Sequence, residues 1–225
     1  MTKLFLSDLH LGSPLFRSTS HILDLLNRTL FDEIFFVGDI IDEWEKDVLN
    51  IVIEHSEIIS TINYQSMLKP INFIIGNHDP SKDILEKIFN HVNFYDSLKF
   101  NNGIIIHGHQ FSIIYDEPSI WSKILYSIYW LFERIGIDLL SKPKQLLFSL
   151  ASKFDDDDYP ELVLSVEEGI LEAYKNKYEF AITGHTHMPK IINHPELKFI
   201  NCGDWTHNKT YVTLNVNNEF ILHKI

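Results

Sequence analysis

Cysteine is nearly absent from this sequence. Cys202 is the only one in 225 residues, which excludes a disulfide within the chain and fits a reducing, cytoplasmic compartment. Basic residues are in deficit: 19 Lys and Arg stand against 31 Asp and Glu, for a net charge of −12. That balance excludes a generic nucleic-acid binder, which needs a basic surface, and a polybasic membrane anchor. No uncharged apolar run approaches the roughly 20 residues that cross a bilayer. The apolar stretch within residues 1–8 is too short for a signal peptide. Glycine is also scarce. Of nine glycines, Gly12, Gly38, Gly76, Gly108, Gly184 and Gly203 each lie within four residues of an Asp, His or Asn. A chain this sparing with glycine places it where backbone turns sharply or closely approaches another group.

What remains is an ordinary globular composition, 45 % hydrophobic and 22 % charged, read here as a single domain over residues 1–225. Short apolar runs predict strands at 3–7, 33–37, 71–75, 103–106, 180–183 and 198–201, with a closing hairpin of 211–216 and 219–223 around Asn217-Asn218. Helical spacing predicts helices over 20–30, 48–62 and 161–174, and a further one from Pro80, at its first turn, to about 89. The segment 119–154 breaks the alternation. It carries Ile120, Ile124, Ile128, Leu131, Ile135 and Leu139 at helical spacing and reads as a helical hairpin broken at Lys142-Pro143-Lys144. It is expected either to roof a site as a lid or to serve as plain structure.

Each predicted strand ends and polar residues follow at once. Asp8 and His10 follow the first, Gly38-Asp39 the second and Gly76-Asn77-His78-Asp79 the third. His107-Gly108-His109, Gly184-His185-Thr186-His187 and Gly203-Asp204 follow the others. In α/β proteins ligands bind beyond the carboxyl ends of strands. Asp8, His10, Asp39, Asn77, His107, His185 and His187 would supply oxygen and nitrogen donors with no thiolate, a set suited to divalent Mn, Fe or Zn rather than to a structural thiolate zinc site. It is large enough for two ions if one carboxylate bridges, and two ions ~3.5–4 Å apart can clamp a phosphoryl group. Each of these residues also has a bland reading as a turn or cap residue; five such blocks, each at a strand end, favour the site. Asp42 is divided between capping the next helix and supporting the ligands. Trp44 and Trp205 are expected to pack, the run of four Asp at 155–158 to be solvated, and His21, His55, His91, His194, His207 and His223 to lie at the surface.

Taken in order, these five blocks resemble the calcineurin-like metallophosphoesterases. A narrower resemblance, to the branch of UDP-2,3-diacylglucosamine hydrolases, rests on Ser7-Asp8-Leu9-His10-Leu11-Gly12, Gly38-Asp39-Ile40-Ile41-Asp42-Glu43-Trp44, His107-Gly108-His109-Gln110-Phe111 and Asn201-Cys202-Gly203-Asp204-Trp205. The resemblance implies a four-layer αββα sandwich of two mixed sheets. It implies that Asp8, His10 and His187 hold one divalent ion, that Asn77, His107 and His185 hold a second, and that Asp39 bridges them, with manganese the first expectation. It further implies in-line attack by an activated water, with His78 serving the leaving oxygen and Asp79 orienting His78. Asp42, His109 and Asp204 would lie behind the ligands or against substrate. The best-known members of the narrower branch carry Arg in place of His78. The implied activity is hydrolysis of a phosphate ester or pyrophosphate in a phosphorylated small molecule or a lipid-linked nucleotide. A nucleotide or cyclic-nucleotide phosphodiesterase is the alternative within the class, and a catalytically silent metal-binding scaffold the alternative outside it. Segment 119–154 leaves room for peripheral membrane contact.

Overall fold

The structure, a computed structural model, describes residues 2–28, 30–111 and 159–225, with the side chains of 159–165 excepted. The helical hairpin expected at 119–154 and the run of Asp at 155–158 lie outside the described residues. The chain divides into two compact units, Met1–Gly108 with Ile170–Ile225, and His109–Gly169. In the second, the described residues form a 3-10 turn, His109–Phe111, and the larger part of a helix, α5 (Tyr159–Tyr174), whose last turn belongs to the first unit.

The described residues of the first unit form eleven strands. β1 (Lys3–Leu6), β2 (Glu33–Val37), β3 (Ile71–Ile74), β4 (Val92–Tyr95), β10 (Thr210–Leu214) and β11 (Phe220–Lys224) make one sheet in the order β11-β10-β1-β2-β3-β4. β5 (Ser97–Phe100), β6 (Gly103–Ile106), β7 (Phe180–Thr183), β8 (Lys190–Asn193) and β9 (Lys198–Asn201) make the other, in the order β5-β6-β7-β9-β8. Both are mixed. β1 to β4 run parallel and β10 and β11 pair antiparallel beside β1; β6, β7 and β9 run parallel between the antiparallel edges β5 and β8.

Strand alternation divides the core in two. Leu4, Leu6, Ile34, Phe36, Ile71 and Phe73 point to the helical side. There they meet Ile22, Leu25 and Leu26 of α1 (Thr19–Leu26), Ile51 of α2 (Val48–Glu54), Ile58, Ile59 and Ile62 of α3 (Ser56–Ser66) and Leu85 of α4 (Lys82–Ile88). The opposite faces, Phe5, Phe35, Val37 and Ile74, pack against Ile105, Ile182 and Ile200 of the second sheet. Register brings Phe5 opposite Phe35 and their rings stack, centroids 4.8 Å apart. Two mixed sheets face to face, the first covered by α1 to α4 on its outer side, agree with the mixed α/β fold that the resemblance implied.

Several elements differ from expectation. The helix predicted over 48–62 is two helices hinged at His55 (φ −106°); the apolar spacing of Ile51, Ile58, Ile59 and Ile62 runs through the hinge unbroken and so reads as one helix. His55 is buried rather than at the surface; its Nε2 accepts the Gly12 N–H at 3.1 Å. Pro80 precedes its helix, which starts at Lys82 after Ser81. β4, β5 and β8 were not predicted: they are edge strands with few fully buried side chains, so they lack an apolar run. No helix among the described residues is long and apolar enough to cross a membrane.

Candidate metal centre

The site is built at the carboxyl ends of the parallel strands of both sheets. Past β1 and β2 the backbone keeps pairing: the Asp8 N–H donates to the Gly38 carbonyl (3.0 Å), His10 to Asp39 (3.0 Å) and Leu11 to Ile40 (2.9 Å). This holds Asp8 and His10 alongside Asp39. Five of the residues expected to bind metal, Asp8, His10, Asp39, His185 and His187, have φ between 51° and 67°. Asp and His tolerate this left-handed region better than most side chains, yet it still costs on the order of 1–3 kcal/mol per residue and gathers at functional sites.

Among the described residues three clusters of donors result, each with its donor atoms within 4.8 Å of one another: Asp8, His10 and His187; Asp39, His107 and His185; and His10, Asp42 and His78. In the first, His187 Nε2 is 3.1 Å from Asp8 Oδ1 and 3.2 Å from His10 Nε2. Two imidazole nitrogens that close suit two donors on one cation at roughly 2.0–2.1 Å each. In the second, His107 Nε2 is 3.1 Å from Asp39 Oδ2, and His107 Nδ1 bonds to the Val37 carbonyl at 2.8 Å. That bond fixes the tautomer which turns the Nε2 lone pair to the site. Asp39 Oδ2 is also 4.0 Å from His10 Nε2, so this carboxylate stands between the two clusters.

The third cluster is explained by hydrogen bonds alone. Asp42 Oδ2 meets His10 Nδ1 at 2.8 Å, and Oδ1 meets His78 Nδ1 at 2.9 Å. One buried carboxylate thus orients two imidazoles. This corrects the expectation for Asp79, which does not orient its neighbour His78. Its carboxylate accepts the backbone N–H of Asp39 (2.7 Å), Ile40 (2.9 Å), Ile41 (2.8 Å) and Gly76 (2.9 Å), and so shapes the loop that presents Asp39.

Other residues buttress the same loops. The Asn201 amide donates to the Gly184 carbonyl (2.7 Å) and to Thr186 Oγ1 (3.0 Å), holding the turn that carries His185 and His187. Asp204 gathers the Thr206, His207 and Asn208 N–H groups, and Asn208 Nδ2 donates to the His187 carbonyl at 2.9 Å. Trp205 is fully buried, as expected, and its backbone N–H donates to the Asp8 carbonyl at 3.0 Å. His109 begins the 3-10 turn of the other unit. Close approach to the carboxylates explains two glycines: a Cβ on Gly76 would fall 2.1 Å from Asp39 Oδ1, and one on Gly184 2.4 Å from Asp8 Oδ2.

The electrostatics show what the site favours. Burial pushes the Asp39 carboxyl up, but His107, His78 and His10 together hold it well below the usual range. Burial also opposes ionisation of Asp8, which His187 and His107 overcome. Asp42, raised by burial and lowered by its bonds to His10 and His78, ends at about 2. Burial disfavours charge on His107, yet Asp39 and Asp8 lift it to about 10; His10 and His78 are raised in the same manner, against burial, by Asp42 and Asp39. Burial and the charge of Asp39 push Asp79 up to about 7, against the pull of the Ile41 and Gly76 N–H groups. Buried carboxylates are here drawing protons onto imidazoles, and divalent cations would meet that demand directly. One further donor fits this need: the buried Oδ1 of Asn77 has no hydrogen-bond partner among the described residues. The residues therefore fit a pair of divalent ions.

The model of the calcineurin-like phosphoesterase family matches residues 1–189. The chain belongs to the calcineurin-like phosphoesterases. It is accordingly a metal-dependent phosphohydrolase, and the family implies a dinuclear divalent site. An archaeal phosphodiesterase structure is similar over 100 % of both chains at 16 % identity and TM-score 0.52, a likeness of fold. The phosphoesterase Yfce of E. coli is 13 % identical, covering 100 % of this chain and 98 % of its own, with TM-score 0.49. Zinc-complexed Vps29 of Entamoeba histolytica is 15 % identical over the same shares, with TM-score 0.46. No curated protein sequence matches the chain.

Proposed function

We propose that this phosphoesterase cleaves a phosphodiester or pyrophosphate bond. In this reading Asp8, His10 and His187 hold one divalent ion, Asn77, His107 and His185 hold another, Asp39 is shared between them, and His78 protonates the leaving oxygen. The observation that carries it is the position of Asp39, with Oδ2 3.1 Å from His107 Nε2 in one cluster and 4.0 Å from His10 Nε2 in the other. Manganese is the proposed metal, with iron or zinc as alternatives, given donors that are all oxygen or nitrogen. When bound, the ions supply Lewis-acid polarisation of the phosphoryl group and lower the pKa of water.

The remaining chemistry belongs to the protein. His107 is kept in one tautomer by the Val37 carbonyl, and His10 by Asp42. His78, with Nδ1 held by Asp42, has only Nε2 left to carry a proton to the departing oxygen. Asp79 and the Gly76 turn hold Asp39 in place through backbone N–H groups rather than through contact with substrate.

For the substrate, the motif blocks support a UDP-2,3-diacylglucosamine-like nucleotide diphosphate as first candidate and a linear or cyclic nucleotide as second. A cytoplasmic setting goes with this reading, on the strength of the single cysteine. The test is turnover of UDP-2,3-diacylglucosamine, nucleoside diphosphate compounds and cyclic nucleotides by metal-stripped protein resupplied with Mn²⁺. Hydrolysis of any one supports the reaction class and ranks the substrates. Absence of turnover together with absence of Mn²⁺ uptake would refute it.

A further inference from the structure

We propose that Trp44 is a positioning residue for His78, holding its imidazole in the plane from which Nε2 reaches the leaving oxygen; this rests on the role given to His78 above. Trp44 belongs to neither core cluster and keeps 37 % of its surface exposed, whereas Trp205 is wholly buried on the helical side. An indole left this open is not explained by core packing. Among the described residues its ring contact is instead His78: the centroids are 4.0 Å apart, with the planes inclined 35°.

The short turn after β2 grips His78 in four ways. Asp39 Oδ1 accepts the His78 backbone N–H at 2.9 Å. Asp42 Oδ1 fixes Nδ1 at 2.9 Å, the Glu43 N–H donates to the His78 carbonyl at 3.1 Å, and Trp44 covers the ring. His10 adds an edge-to-face contact at 4.9 Å. A single hydrogen bond at Nδ1 leaves an imidazole free to rock about that bond, and the His78 side chain, 24 % exposed, has room to do so. A flat aromatic against the ring removes this freedom. Positioning matters because a general acid contributes ~10²–10⁴-fold and works only within hydrogen-bond reach, and a displacement of about 1 Å can cost ~10²-fold.

The test uses two substrates that share a nucleoside and differ in the leaving group, thymidine 5′-p-nitrophenyl phosphate and thymidine 5′-methyl phosphate, with Mn²⁺-loaded protein. Nitrophenolate leaves unaided; methoxide needs a proton. Trp44→Ala should lower kcat on the methyl ester about 10-fold or more and on the nitrophenyl ester by about 2-fold or less, with KM and Mn²⁺ content unchanged. Trp44→Phe should restore most of the loss. If Trp44→Ala does not fold, Trp44→Leu, which keeps apolar bulk without a ring plane, takes its place. An equal fall on both esters, or none on either, overturns the proposal. His78→Ala separates the two levels: if it shows no dependence on the leaving group, the role of His78 fails; if it does and Trp44→Ala does not, only Trp44 fails. A readout without turnover is the crystal structure of Trp44→Ala. A rotated or split His78 ring supports the proposal, and an unmoved ring overturns it.

Discussion

Replacing Asp42 by Asn should separate metal binding from turnover. The wild-type carboxylate accepts from His10 Nδ1 at 2.8 Å through one oxygen and from His78 Nδ1 at 2.9 Å through the other. An amide has a single oxygen, so one of the two imidazoles must face an NH₂ group. That imidazole can accept only by giving up its Nδ1 proton, which moves to Nε2. If His10 is the one affected, its Nε2 no longer offers a lone pair, and affinity for the ion shared with Asp8 and His187 falls. Partners of this kind typically govern ~10–100-fold in metal affinity or activity, about 1.4–2.8 kcal/mol at 1.4 kcal/mol per decade. This lies below the ~3–6 kcal/mol that two charge-assisted hydrogen bonds could contribute in the extreme. If His78 is affected instead, affinity is kept and turnover drops. Calorimetric titration with Mn²⁺ beside steady-state kinetics distinguishes the cases, and Asp42→Ala, which removes both acceptors, should lower both quantities. Unchanged affinity together with unchanged turnover in Asp42→Asn would refute the assignment of Asp42 as support for both histidines.

In metal-free protein Asp42 ionises more readily folded than unfolded, with a pKa of about 2 against an ordinary 3.8. Its stabilisation, about 2 kcal/mol at ~1.4 kcal/mol per unit, should be complete above about pH 4 and vanish as pH falls through about 2; denaturant melts of wild type and Asp42→Ala should converge at the acid end. Because His107 is lifted to about 10 and His10 is also raised, Mn²⁺ binding near pH 7 should release protons and strengthen as pH rises. Calorimetry in buffers of different ionisation enthalpy measures this, and binding without proton release would contradict it. Gly76→Ala, whose Cβ would fall 2.1 Å from Asp39 Oδ1, should lower Mn²⁺ affinity by about 10-fold or more, read by the same titration. Asp39→Ala should deplete both metal positions by elemental analysis, whereas His78→Ala should slow turnover with metal content near normal.

The sequence made the strand-end blocks legible for a physical reason. Core strands such as β1, β2 and β3 are buried on both faces and appear as short apolar runs, so the polar residues that follow stand out. β4, β5 and β8 lie at sheet edges, only partly buried, and their mixed patterns gave no such contrast. The hinge at His55 was hidden because the apolar spacing continues across it. Nor could adjacency in the chain identify the partner of His78. Asp79 is next to it, yet four backbone N–H groups around Asp39 claim its carboxylate, and Asp42, 36 residues away in sequence, takes the imidazole. Trp44 reads as a packing residue because a lone indole carries no signal of the ring it covers. The left-handed conformations at Asp8, His10, Asp39, His185 and His187 are likewise invisible in a residue string.

Anomalous diffraction at the manganese edge, from crystals grown with Mn²⁺, tests the central claim most directly. Two peaks are predicted, one ligated by Asp8, His10 and His187, the other by Asn77, His107 and His185, with the Asp39 carboxylate touching both. A single peak, or two that do not share Asp39, would contradict it.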